Sequence, residues 1–206
     1  MDNIVELFFK KTFEKDLNEH LLYRSYELNL DEVMEYVSEL LKLPFHYFIT
    51  YLIENYNVAY LSSEDVLQYS SFENATTKLC AVLKENNDEG FRAPEIGKFL
   101  EDDGKARKET AFLKYGENHA KTGESIGLVY SLSNVFFCSC LGYVIGLLSD
   151  KEQRQLISRL ILRNRLVQRL IYRGYTVGKA SYMNEVDFLK DSTRKIRSLF
   201  SMSLHQ

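Results

Sequence analysis

The stretch YGENHAKTGESIGLVYSLSNVFFCSC, residues 115–140, decides how this chain is read. Its first part, Glu117–Ile126, carries Ala120, Gly123 and Ile126 at inward helical spacing. Asn118, His119, Lys121, Thr122 and Ser125 then face outward, and Gly127 is a C-terminal stop. The second part alternates in patches, and Ser133-Asn134 predicts the turn of a hairpin within Leu128–Cys140. Upstream, Pro94–Leu100 reads as a short helix opened by proline, and Arg107–Leu113 as a second, broken at Tyr115-Gly116. Three short helices followed by a hairpin is the order of a winged helix-turn-helix, whose third helix enters a major groove. Asn pairs with adenine edges and Lys reaches guanine or phosphate.

Charge points the same way. Residues 1–90 hold 7 Lys and Arg against 17 Asp and Glu, a net of −10. Residues 91–206 hold 19 against 12, a net of +7, and 151–200 hold 12 against 4. An acidic half joined to a basic one suggests that one half meets a polyanion. Placed on one helix from Asp150 to about Tyr172, Arg163, Arg165, Arg169 and Arg173 fall with Arg154 and Arg159 within about half the circumference. Leu162, Leu166 and Leu170 interrupt that half. They suggest burial on a second side, which would turn some arginines toward acidic groups in place of phosphate.

The acidic half shows helical apolar spacing over 3–29, and Asp31 is expected to cap a helix through Leu41 that Pro44 ends. Phe45–Tyr56 fits either a helix or a buried strand. Ser63 and Ser71 are expected to open further helices, the second reaching Lys84. Glu85–Gly90 is polar and turn-rich and forms the expected boundary between an acidic helical domain, 1–89, and a basic domain, 90–206. Aromatic residues of the acidic half, Phe8 and Phe48 among them, read as core.

Little in the chain suggests catalysis. None of the four histidines lies near a Cys or carboxylate at ligand spacing, and there is no Walker loop, GxGxxG or nucleophile elbow. Cys138 and Cys140 read as core, so no metal and no cofactor are expected. The 3 Cys and the acidic start MDNIVELFF suggest a reduced, cytoplasmic protein. Val135–Leu148 is apolar but shorter than a membrane span, so no membrane association is expected.

The run Tyr115-Gly-Glu-Asn-His-Ala-Lys, followed by Ile126-Gly-Leu-Val, a hairpin and Leu141-Gly142, resembles the winged-helix domain of some restriction-modification and related DNA-recognition proteins. Asp150-Lys-Glu-Gln and Ile161-Leu-Arg-Asn164 fit the same pattern. Ser192-Thr-Arg-Lys-Ile-Arg-Ser198 is similar to that family's closing helix, part of a second helix-turn-helix. The resemblance covers about 90–203. Ile196 replaces one arginine of the family's pair, a Trp after that helix is missing, and Cys138 and Cys140 stand where polar residues are usual. The resemblance brings no nuclease: Thr77–Lys84 lacks the carboxylate and Glu-x-Lys arrangement that such a site needs.

The expectation is therefore a mainly α protein with a small β-hairpin that binds duplex DNA without catalysis, as a transcription regulator or as the recognition component of a defence system. Arg194, Lys195 and Arg197 would join the arginine helix on phosphates, and the acidic half would dock a protein partner or a second copy. The rival expectation is an adaptor whose basic half binds an acidic protein.

Overall fold

The computed structural model describes residues 2–10, 26–61, 65–66, 72–85, 89–100 and 108–181. Among these the chain is mainly helical with one small antiparallel sheet. The N-terminal helices are α1 (Asp2–Lys10), α2 (Tyr26–Lys42), α3 (Phe45–Glu54) and α4 (Phe72–Glu85). After β1 (Phe91–Arg92) come α5 (Ala93–Leu100), α6 (Glu109–Ser125), β2 (Val129–Leu132) and β3 (Val135–Cys138). The chain continues through α7 (Cys140–Ile145), α8 (Asp150–Leu160), a 3-10 turn (Ile161–Arg163) and α9 (Arg165–Val177).

Local chemistry explains several of these boundaries. Phe45–Tyr56 resolves as helix α3, opened by Pro44 and closed where Asn55 Nδ2 donates to Tyr51 O at 2.9 Å. Gly127 adopts φ +81°, the left-handed conformation that glycine takes without strain. Its N–H donates to Glu124 O at 3.1 Å and the N–H of Leu128 to Gly123 O at 2.8 Å, so the last carbonyls of α6 are satisfied. The hairpin turns at Ser133 (φ 51°) and Asn134 (φ 65°), the two positive φ values of a turn matched to strand twist. In register, Val129 faces Cys138 and Leu132 faces Val135, while β1 adds to the other edge of β3 through Phe91 opposite Phe136. The strand order is β1-β3-β2. Ser139 then ties the hairpin to α7: its Oγ donates to Gly127 O at 2.7 Å and accepts from Gly142 N–H at 3.0 Å.

Three helix readings differ from the sequence expectation. Asp31 lies inside α2, which already begins at Tyr26, and caps nothing. The helices expected at Arg107–Leu113 and Glu117–Ile126 are one continuous helix, α6, starting at Glu109; Arg107 itself lies outside the described residues. The reason is that Tyr115-Gly116 is a crossing point and not a break. A Cβ on Gly116 would lie 1.8 Å from Ala93 O, and one on Gly97 would lie 2.0 Å from Phe112 O. Glycine is present so that α5 and α6 can touch backbone to backbone. Helix α7 is six residues long, and Ser149 caps α8: the Glu152 carboxylate accepts from Ser149 N–H at 3.0 Å and Oγ at 2.6 Å. Finally, the single helix expected over 150–172 breaks at Ile161–Arg163, and Asn164 starts α9 by accepting from Val167 N–H at 3.1 Å.

A single apolar core joins these pieces. It includes Phe8, Val37, Leu40 and Phe48 from the first helices, and Ile96, Ile126, Leu156 and Leu160 from later ones. Phe8 meets Phe48 edge-on at 5.2 Å between ring centroids. Helix α4 packs on α5, α6, α7, α8 and β3, all of which follow it in sequence. The boundary placed between 89 and 90 therefore crosses a shared core, and of the turn at Glu85–Gly90 residues 86–88 lie outside the described residues. No helix among the described residues is long and apolar enough to cross a membrane.

Candidate nucleic-acid interface

Helix α6 buries Gly116, His119, Ala120, Thr122 and Gly123. Ala120 and Gly123 were expected there, with Ile126 one residue beyond the helix also buried. His119 and Thr122 were expected to face out and do not: they are 3% and 5% exposed. At 100° per residue His119 falls between Gly123 and Ile126 on the inward arc, and Thr122 lies about 40° beyond Ile126, so the spacing itself turns both inward. The His119 ring lies 4.3 Å from that of Tyr115, and neither of its nitrogens has a hydrogen-bond partner in the structure. Burial without a partner holds the imidazole pKa down, at about 4.

The remaining outward residues are Asn118, half-buried, with Lys121 and Ser125, exposed. Lys114 joins them. It is exposed and stands one turn before Asn118, a position the sequence reading missed by ending a helix at Tyr115. Its signal was the i, i+4 spacing to Asn118. Lys114, Asn118, Lys121 and Ser125 fall within about 60° of one another on the helix and span roughly 16 Å. Two carboxylates share this side and both are occupied. Glu117 pairs with Lys121, and Glu124 Oε1 accepts from Ser131 Oγ of β2 at 2.6 Å. The second contact fixes the end of α6 against the hairpin. Lys98 of α5 pairs with Glu109 at 3.2 Å, close to the start of α6.

The arginines expected on phosphates are largely used inside the fold. The break at Ile161–Arg163 removes the common face that one long helix would have made. Arg159 is 5% exposed, donates to Gln155 O and Leu43 O at 2.8 Å each, and lies over the Phe48 ring. Arg163 lies 5.8 Å over the Phe8 ring, and burial lowers its pKa to about 10. Arg165 bonds to Tyr60 O and sits 3.7 Å from Asp65 Oδ2. Arg169 donates to Val58 O at 3.2 Å, Ala59 O at 2.9 Å and the Tyr56 hydroxyl at 3.3 Å. Arg173 is exposed. Arg194, Lys195 and Arg197 lie outside the described residues. Of the three leucines read as marking a second buried side, Leu162 and Leu166 are 2% exposed and Leu170 is only half-buried.

Arg169→Ala should therefore act on stability. Losing charge-assisted bonds to two carbonyls and a hydroxyl should cost about 2 kcal/mol in urea unfolding. If unfolding is unchanged, Arg169 is not holding residues 56–59 in place.

The three cysteines are buried and form no disulfide. Burial lifts the Cys140 thiol to about 11, and a hydrogen bond with Cys80 together with burial holds the Cys138 thiol well above its ordinary value. Among the described residues no three His, Cys, Asp or Glu side chains come together in a way that could hold a metal ion. No protein-family model matches the chain, and neither a curated protein nor a solved structure gives a significant match.

Proposed function

We propose that this protein binds duplex DNA without catalysing a reaction, as a regulator or as the recognition component of a defence system. The observation that carries this reading is the outward stripe of α6, placed within the order α4-β1-α5-α6-β2-β3 and a sheet of order β1-β3-β2. A helix crossed by a partner helix, then a hairpin at its end, is how a winged helix-turn-helix offers its third helix to a major groove. Helix α6 takes the reading role with Asn118 as the residue for a base edge. Lys114 and the exposed Arg92 and Lys108 supply phosphate contacts, while Lys121 is paired with Glu117. This places the basic contribution around α6 and away from Arg159, Arg163, Arg165 and Arg169.

The test is selection of a preferred site from random duplexes, followed by anisotropy titrations over a range of salt concentrations. Asn118→Ala should lose about 1–3 kcal/mol on the selected site and much less on random DNA. Lys114→Ala should weaken all sequences alike and reduce the salt slope by about 1. Absence of salt-dependent duplex binding would sink this reading and leave the adaptor in its place.

A further inference from the structure

Two thiols from distant parts of the sequence meet at the base of the hairpin. Cys80 on α4 and Cys138, the last residue of β3, are each 0% exposed, and their side chains are hydrogen-bonded to one another. Neighbouring residues hold them there. A Cβ on Gly142 would lie 2.9 Å from the Cys138 sulfur, so that sulfur is seated against α7 as well as against α4. Lys84 stands one turn after Cys80 on the same face of α4, with its Nζ 4.1 Å over the Tyr143 ring. The hydrogen bond and burial keep the Cys138 thiol protonated, and the Lys84 charge works against them. Cys140, 6% exposed, is a third thiol, placed at the start of α7.

We propose that Cys80 and Cys138 are a redox latch: a peroxide converts the pair to a disulfide that ties α4 to the base of the hairpin, and a dithiol reopens it. With hydrogen peroxide, Cys138 gives up its proton and its sulfur attacks one peroxide oxygen. The O–O bond breaks, and the leaving hydroxide takes that proton and departs as water. The Cys80 sulfur then attacks the Cys138 sulfenic acid. The S–S bond forms, the S–O bond breaks, and hydroxide leaves with the Cys80 proton as a second water. The two sulfurs lose two electrons between them, and the peroxide gains them. A dithiol reverses the bond by exchange and leaves as a disulfide itself. Burial sets the pace, because peroxide enters only during a local opening of the core. In a reducing compartment such a bond forms only transiently, as redox-sensing disulfides do. The latch does not rest on the DNA reading, since neither cysteine lies on α6.

The experiment is incubation of the reduced full chain with hydrogen peroxide, without denaturant, followed by intact mass. The expected result is loss of two hydrogen atoms, restored by dithiothreitol. Digestion with trypsin should then join the peptide holding Cys80 to the one holding Cys138 and Cys140, and fragmentation should place the link on Cys138. That is read on the parent protein, so it does not depend on any variant folding. Cys80→Ala and Cys138→Ala should each abolish the hydrogen loss, and Cys140→Ala should keep it. Because the bond constrains the unfolded chain, the oxidised parent should melt about 4–16 °C above the reduced one. Oxygen addition in place of hydrogen loss, a link that uses Cys140 or joins two chains, or no reaction until urea unfolds the protein would overturn the proposal. So would an oxidised form that melts at or below the reduced one, because the folded thiols would then be held outside disulfide geometry.

Discussion

Gly116→Ala is expected to destabilise the protein by about 3 kcal/mol, although alanine is the better helix former by about 1 kcal/mol. The added methyl would lie 1.8 Å from Ala93 O and 2.7 Å from Gly97 N. Both are backbone atoms, so no side chain can swing aside; α5 and α6 must separate. A loss of that size lowers the melting temperature of a chain this long by about 6–12 °C. Gly174 supplies the control. It also lies inside a helix, but its nearest neighbour to an added Cβ is Ala180 Cβ at 3.9 Å. Gly174→Ala should be neutral or stabilising by up to about 1 kcal/mol. Should Gly116→Ala melt at or above the parent temperature, the close crossing of α5 and α6 is not what the fold depends on. The same variant should weaken duplex binding, because α6 would no longer stand in its present relation to the hairpin.

Acid should act through His119. Its pKa is lowered from 6.5 to about 4 because burial disfavours the charged ring. The unfolded chain therefore takes up a proton first as pH falls. The folded state keeps its full stability above pH 6.5 and loses it progressively from there to about pH 4, by up to about 1.4 kcal/mol per unit. Once the folded ring also protonates the loss levels off, at about 3 kcal/mol in total. His119→Leu removes this dependence, together with two buried nitrogens that have no partner. Urea unfolding of both proteins at pH 7, 6, 5 and 4 isolates the effect, since the carboxylates contribute equally to each. Parallel loss of stability in parent and variant would mean that His119 does not titrate in a buried site.

These two residues show what was and was not legible. The hairpin, its turn at Ser133-Asn134, the stop at Gly127 and the inward set Ala120, Gly123 and Ile126 were all readable, because each is decided within a few neighbouring residues. Gly116 was misread, because a glycine in a helical run looks the same whether it ends the helix or lets another backbone approach. With the helix cut at Tyr115, Lys114 dropped from the candidate site; His119 and Thr122 were read as outward although their spacing puts them on or beside the arc of Gly123 and Ile126. The arginines failed in a different way. A charge count records how many guanidinium groups exist but not what lies opposite them, and the partners of Arg165 and Arg169 are about a hundred residues away in sequence.

By itself the sequence determined the mainly helical class, the one hairpin with its turn, and the contrast between an acidic and a basic half. These follow from periodicity, turn chemistry and composition, all of which are local or additive. Tertiary structure alone decided which glycine is a crossing point and where the long C-terminal helix breaks. It also decided that Arg159, Arg163, Arg165 and Arg169 are turned to carbonyls and rings. Each of these depends on which distant segment arrives at a residue, and that is set by the packing of the whole core.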